Sequence, residues 1–337
     1  MKKTSVGVPT FLILAAIVSC SVQKDSVYRK SMPLMDTIVS ITVVSDSKEI
    51  AEKAMEEAFG KIDSFGYLIN FYSEKSELSE INRNAGIRMT RVSPETLDVI
   101  ETAFLASEKS LGAFDPTIGP IVKLWDFAEK KMPSDKEIKH ALPLVNYRDI
   151  IIDRNASTVL LSKKGMMLDL GAIAKGYAAD MAVDSLIKKG IQSGLVSIAG
   201  DIRTFGLKPD KKPWTIGIKN PRQTGTKDEI IAMARLTDKA ISTSGDYERY
   251  FITAGRRYHH ILDPKTGFPA ETCRSVSIVT DKAVDSDAFS TAIFVLGPDK
   301  GMKLAKDLGM GALIIDSNGN MHTTDSLKEK LSFEKGS

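Results

Sequence analysis

A chain of 337 residues with 42% hydrophobic content is long enough to bury a sizeable core in one or two domains. A formal net charge of +3 excludes a broad nucleic-acid surface, and 24 glycines with 13 prolines exclude a disordered or fibrous composition. Two cysteines, Cys20 and Cys273, exclude a disulfide scaffold.

The N-terminus comes first. Lys2 and Lys3 precede a short apolar run from Phe11 to Val18, and Ile17-Val18-Ser19-Cys20 closes the segment. The run is too short to span a bilayer. The pattern resembles a bacterial lipoprotein signal, in which Cys20 becomes the lipidated first residue of the mature chain. The expectation is a signal peptide over 1–19, a polar tether over 20–32 and one folded unit over 33–333. A membrane-anchored lipoprotein on the periplasmic or extracytoplasmic face follows. Cys273 is then left without a partner and reads as a small buried filler.

Thr37 to Val44 is β-branched and alternating, which predicts a strand. Met55, Phe59, Ile62 and Ile69 mark an amphipathic helix. Residues 71–86 carry so many side-chain hydroxyls and charges that they read as a polar loop. Ser93-Pro94 opens a helix whose inner face holds Leu97, Ile100 and Phe104. Ala113 to Pro120 is a tightly punctuated segment, either a shaped loop or a plain connector. Ile150–Asp153 and Thr158–Leu161 predict a hairpin. Strands are expected at Leu195–Ile198, Ile202–Phe205, Thr215–Ile218, Ile230–Leu236 and Ala240–Thr243, with joints short enough for antiparallel neighbours. Asp285 to Ala292 opens the last long helix, and a strand at Ala312–Ile315 precedes a polar tail. The fold class is α+β, a single unit of mainly antiparallel sheets with packed helices.

The chain is organised around residues 167–176. An apolar run from Met166 to Leu170 ends at Gly171, and Ala174, Ala178, Met181, Ala182 and Leu186 then recur at helix spacing. A helix start offers free N–H groups and a positive dipole end to a phosphate, and Lys175 adds a point charge. A plain strand-turn-helix junction with a solvated lysine fits the same ten residues. Asp287 and Thr291 stand four apart on one helical face and offer a carboxylate and a hydroxyl, hard oxygen donors suited to Mg²⁺. A helix-start acid and a back-bonded threonine fit them equally. His259 and His260 alternate across a strand, so only one of them faces any given site. No Cys/His spacing for zinc and no G-x-S-x-G element is present.

Five separated stretches, in order, resemble the ApbE family of flavin transferases. They are Tyr72-x-x-x-Ser76-Glu77-Leu78-Ser79-x-x-Asn82, Phe114-Asp115-Pro116-Thr117-x-Gly119-Pro120, Asp169-Leu170-Gly171-Ala172-Ile173-Ala174-Lys175-Gly176, His260-Ile261-Leu262-Asp263-Pro264-x-Thr266-Gly267, and Asp287-x-x-x-Thr291-Ala292. The resemblance runs from about Met35 to Gly297. Two positions depart from the family pattern. Asp36 stands where a glycine usually follows the early methionine, and Ser197-Ile198-Ala199-Gly200 stands where the family has an asparagine-glycine-glycine turn before the acid, here Asp201.

The resemblance implies an ApbE-like, T-fold-like unit that attaches FMN to exported proteins, with FAD as substrate and Mg²⁺ as cofactor. It implies that Met35, Tyr72, Ala113, Phe114, Asp115, Asp169, Lys175 and His260 line the FAD site. The Ala172 carbonyl, Asp287 and Thr291 would hold Mg²⁺. A serine or threonine hydroxyl of the acceptor, for example in a subunit of a membrane redox complex, would attack the FMN-side phosphorus and release AMP. His260 or a carboxylate near the metal, Asp287 among them, would take the proton. The alternatives are Mg²⁺-dependent hydrolysis of FAD to FMN and AMP, and a non-catalytic FAD-binding lipoprotein.

Overall fold

The computed structural model describes residues 26–222 and 229–333, so the expected signal peptide and Cys20 lie outside the described residues. The chain opens with the hairpin β1 (Ser26–Leu34) and β2 (Thr37–Ser45). Residues 26–32 are therefore not tether as expected. They pair with β2 along its whole length, because their alternate side chains lean on a face that β2 leaves apolar. Helix α1 (Lys48–Leu68) follows, with Ser47 accepting from Ile50 N–H at its start.

Residues 71–86 are also not the polar loop expected. They contain α2 (Glu77–Arg83), whose hydroxyls do structural work while Leu78 and Ile81 are fully buried. Ser76 caps the helix, and the Glu77 carboxylate accepts from the N–H and hydroxyl of Ser93. Ser93 in turn caps α3 (Pro94–Lys109), after the short β3 (Thr90–Arg91). Two short helices, α4 (Gly119–Val122) and α5 (Asp135–Ala141), lead to the hairpin β4 (Ile150–Asp153) and β5 (Thr158–Leu161). This hairpin has the predicted bounds, and β3 completes it as a three-stranded sheet in the order β3-β5-β4.

Helix α6 (Ala174–Lys188) then precedes β6 (Ser193–Ile198), β7 (Asp201–Phe205), β8 (Trp214–Lys219), β9 (Ile230–Leu236), β10 (Ala240–Gly245), β11 (Tyr250–Thr253), β12 (Arg256–His259) and β13 (Cys273–Thr280). The run before α6 is not a strand; Met167 makes only an isolated bridge to Ile118. Helix α7 (Ala283–Asp307) is two segments joined at Gly297, whose φ of 78° breaks the helix just before Pro298. The expected polar tail is structured: after β14 (Gly311–Asp316) come β15 (Met321–Thr323), α8 (Asp325–Lys328) and β16 (Leu331–Phe333). Leu331 and Leu327 are buried and anchor it, too few apolar residues to give a periodic signal.

An eight-stranded antiparallel sheet, in the order β1-β2-β6-β7-β10-β13-β14-β15, forms the middle layer. Strand alternation divides its side chains between two cores. In β14, Ala312 and Ile314 join the helix-side core, while Leu313 and Ile315 join a second core beneath the sheet β16-β9-β8. Helices α1, α6 and α7 cover the first face side by side. Their facing positions are small: Ala51, Ala54 and Ala58 on α1, Ala178 and Ala182 on α6, Ala288 and Ala292 on α7. Small residues let the backbones approach closely. At Gly176 the approach is so close that a Cβ would lie 2.2 Å from the Ala283 carbonyl oxygen. This mixed fold of antiparallel sheets with packed helices is the α+β class expected.

Candidate active site

The close approach at Gly176 sets the centre of the site. Gly176 N–H donates to Asp287 Oδ2 at 2.9 Å, so the first turn of α6 is fastened to the first turns of α7. The Lys175 ammonium lies 3.2 Å from Asp287 Oδ1 and 2.8 Å from Asp201 Oδ2. Burial works against the charge on Lys175, but the two carboxylates more than offset it and raise its pKa. The pKa of Asp201 is raised too, first by its own burial and then by the charge of Asp287, which disfavours its charged form. Two carboxylates share one ammonium, which leaves a net negative charge in a nearly dry spot; Asp287 is only 3% exposed.

Hydroxyls surround this charge. Ser244 Oγ is 2.8 Å from Ser290 Oγ and 3.1 Å from Thr291 Oγ1, and Ser242 Oγ is 2.8 Å from Ser286 Oγ. Ala172 stands four residues before Gly176, in the turn that leads into α6. Among the described residues no group of three or more His, Cys, Asp or Glu side chains is placed to hold a metal. The donors brought together here are the Asp287 carboxylate and the Thr291 hydroxyl, one helical turn apart on α7. Such a set, beside an excess negative charge, suits a hard cation that keeps several of its own waters.

The remaining expected residues stand on five other segments of the chain: Met35, Tyr72, Ala113 to Asp115, Asp169 and His260. Asp169 N–H donates to the Pro116 carbonyl at 2.7 Å, which lays residues 114–119 against residues 167–171. Gly119 makes that contact possible, since a Cβ there would meet the Met167 carbonyl oxygen at 2.6 Å. The Asn82 side chain clamps the same loop, donating to the Leu168 carbonyl at 3.0 Å and accepting from Leu168 N–H at 2.7 Å. The Asp169 carboxylate, raised by burial, accepts from Gly171 N–H. Ala113 and Phe114 are buried, and the Asp115 carboxylate is turned inward to the N–H groups of Thr117 and Tyr147. The side chains of all three are buried in the fold.

Met35 and Asp36 form the two-residue turn of the β1–β2 hairpin, both at positive φ (52° and 56°), with Leu34 and Thr37 paired across it. The Met35 side chain rests on Gly66 of α1. Tyr72 is 74% exposed, edge-on to Phe71 and within reach of the charges of Asp169 and Arg249. His260 is fixed through its backbone N–H and ring Nδ1, both facing the Arg249 carbonyl at 3.1 and 3.3 Å. Burial first, and then the Arg249 charge, hold its pKa down to about 3. His259 turns to the opposite side and is spent on the Ala270 carbonyl, 2.8 Å from its Nε2.

The ApbE family profile matches residues 35–314. The chain belongs to the ApbE family. It is 36% identical over 323 residues to the FAD:protein FMN transferase of Treponema pallidum, covering 90% of this chain and 88% of that one. It is 34% identical over 278 residues to the FAD:protein FMN transferase of Klebsiella pneumoniae, covering 82% and 84%. In structure it is similar to the ApbE protein of Thermotoga maritima, with a TM-score of 0.84, 35% identity and coverage of 90% and 99%. It is also similar to the flavin transferase ApbE of Vibrio cholerae, with a TM-score of 0.81, 29% identity and coverage of 91% and 99%.

Membership also explains the two departures from the family pattern. Asp36 and Ala199 each hold a positive φ, 56° and 51°, where glycine sits without strain. Three groups at the centre were not singled out from the sequence: Asp201, Ser244 and Arg249. Asp201 was visible only as the acid after a turn, and its pairing with Lys175 joins the start of β7 to the first turn of α6.

Proposed function

We propose that this ApbE-family chain transfers FMN from FAD to a serine or threonine hydroxyl of an exported acceptor protein, with Mg²⁺, and releases AMP. The observation that carries the reading is the meeting of Lys175, Asp287 and Thr291 beside the 167–171 loop. Relatives that share this architecture are FAD:protein FMN transferases. In the reaction, the acceptor oxygen bonds to the FMN-side phosphorus as the bond to the AMP oxygen breaks. The hydroxyl proton passes to a base and AMP leaves with the bonding electron pair.

Asp287, Thr291 and the Ala172 carbonyl would hold Mg²⁺. When bound, the ion supplies neutralisation of charge on the diphosphate. Lys175 keeps its proton at any working pH and adds a fixed positive charge on the same side. Gly176 N–H holds one oxygen of Asp287, so the carboxylate cannot swing away. His260 stays neutral, and a conjugate acid near pH 3 makes it a weak base. Its role is to accept a hydrogen bond and orient the attacking hydroxyl, which leaves the proton to the carboxylate side of the site. The acceptor would be a subunit of a membrane redox complex, and Cys20 would carry the lipid that holds the enzyme at the same membrane.

The test is mass spectrometry of candidate exported flavoproteins after incubation with the protein, FAD and Mg²⁺. An added FMN on one hydroxyl residue, with one AMP released, is the expected result. Rapid AMP release without an acceptor would replace transfer by hydrolysis, and tight FAD binding without AMP would replace it by storage. Asp287→Ala is expected to lower transfer at least about a hundredfold while leaving a folded protein. Full activity in that variant would defeat the metal assignment.

A further inference from the structure

His259 and His260 face opposite ways, and on the His259 side lies a second cleft, of about 180 Å³. That is below the size of a typical small-molecule pocket and suits one charged group rather than a dinucleotide. Arg222, Arg257 and Arg274 line it, together with Asp246, Glu271 and Ser317. Three of these charges are already spent. Arg222 grips Asp246 with both Nη atoms, at 2.7 and 2.5 Å, and Asp246 is only 5% exposed. Glu271 pairs with Arg256.

Arg257 and Arg274 are different: among the described residues neither has a carboxylate partner. Arg257 lies over the Tyr250 ring at 3.8 Å and gives one N–H to the Asp246 carbonyl at 3.3 Å. Arg274 gives Nε and Nη2 to the Ser317 carbonyl, at 3.1 and 2.8 Å. Each guanidinium has five N–H donors, so both retain unused ones. The backbone holds them together, since Asp246 N–H donates to the Arg274 carbonyl at 3.0 Å. His259 adds no charge; burial lowers its pKa. Two guanidiniums converging on one opening repel each other, and an oxyanion that accepts from both forks removes that repulsion.

We propose that this cleft is an anion subsite for a single carboxylate or phosphate group, held between Arg257 and Arg274. The group comes either from an acidic side chain of the acceptor protein or from a free phosphate. The first source rests on the transfer reaction proposed above; the anion site itself does not.

The test follows the Nε–Hε signals of Arg257 and Arg274 by NMR in the full chain. One arm adds inorganic phosphate, and the other a short aspartate-containing peptide beside its asparagine counterpart. A saturable shift of both signals in either arm is the expected result, and the arm that saturates at the lower concentration names the source. Arg257→Gln is expected to abolish the shift at Arg274, while Arg257→Lys keeps part of it. Absence of a shift in both arms, or a shift that survives Arg257→Gln, overturns the site. If the source is a side chain, Arg257→Gln raises the KM for the acceptor about tenfold with kcat unchanged, the loss of one charge-assisted contact. No FMN transfer by the wild type would remove the transfer reading and leave the phosphate arm intact.

Discussion

At the scale of single residues, the site is decided by charges that burial makes expensive to leave alone. Lys175 sits between Asp201 and Asp287, and removing it strands two carboxylates away from water. Lys175→Met is therefore expected to lower stability by about 3 kcal/mol at neutral pH. Adding Asp201→Asn should restore most of it in urea unfolding, and no recovery would show that the pairing is not what Lys175 contributes. His260 gives a pH prediction. Unfolded, its imidazole titrates near 6.5, but folded it stays neutral down to about 3. Between those values the unfolded chain binds a proton that the folded chain refuses, so this residue lowers stability as pH falls through the window. The stability difference between His260→Asn and wild type, measured in urea at pH 7, 5 and 4, should move in favour of the variant as pH drops. Lys175, Asp287 and Thr291 were reached only through the family motifs, because a helix start and an i, i+4 pair fit a plain junction as well as a site. Asp201 and Ser244 were not, because nothing near them in the chain announces that Asp201 meets Lys175 on another element or that Ser244 meets Thr291 on α7.

At the scale of elements, turns and helix contacts place these residues. The β6–β7 connection closes with Ile198 opposite Asp201, and Ala199 takes a φ of 51° that its Cβ resists. Ala199→Gly is expected to stabilise the protein by about 0.5 kcal/mol, after the glycine's extra freedom in the unfolded chain is deducted. A lower melting temperature in that variant would show that the strain is relieved elsewhere. Strand β8 alternates in burial along its whole length, while the hairpin at 150–161 and β9 could be read only as short apolar runs bounded by polar turns. Helix α2 was misread because its hydroxyls and acids serve as caps and cross-links, while only Leu78 and Ile81 speak for burial. The Asn82 clamp on Leu168 spans 86 residues and has no local signal at all.

At the scale of the whole molecule, the eight-stranded sheet separates two cores and carries the site at its helix-covered face. Alternation in the sequence disclosed most of its strands, whereas their order in the sheet depends on packing between distant segments. No helix among the described residues is long and apolar enough to cross a membrane. The first strand has a consequence for where the chemistry happens. Ser21 to Ser26 span at most about 20 Å, and β1 then runs about 30 Å to the Met35 turn. A lipid on Cys20, as proposed above, would put the enzyme on a short leash, with the Met35 turn within roughly 50 Å of the bilayer. Twenty added Gly/Ser residues after Cys20 should leave the modification of a free-floating target unchanged and alter that of a membrane-fixed one. Equal rates for both targets would mean that reach plays no part in choosing them.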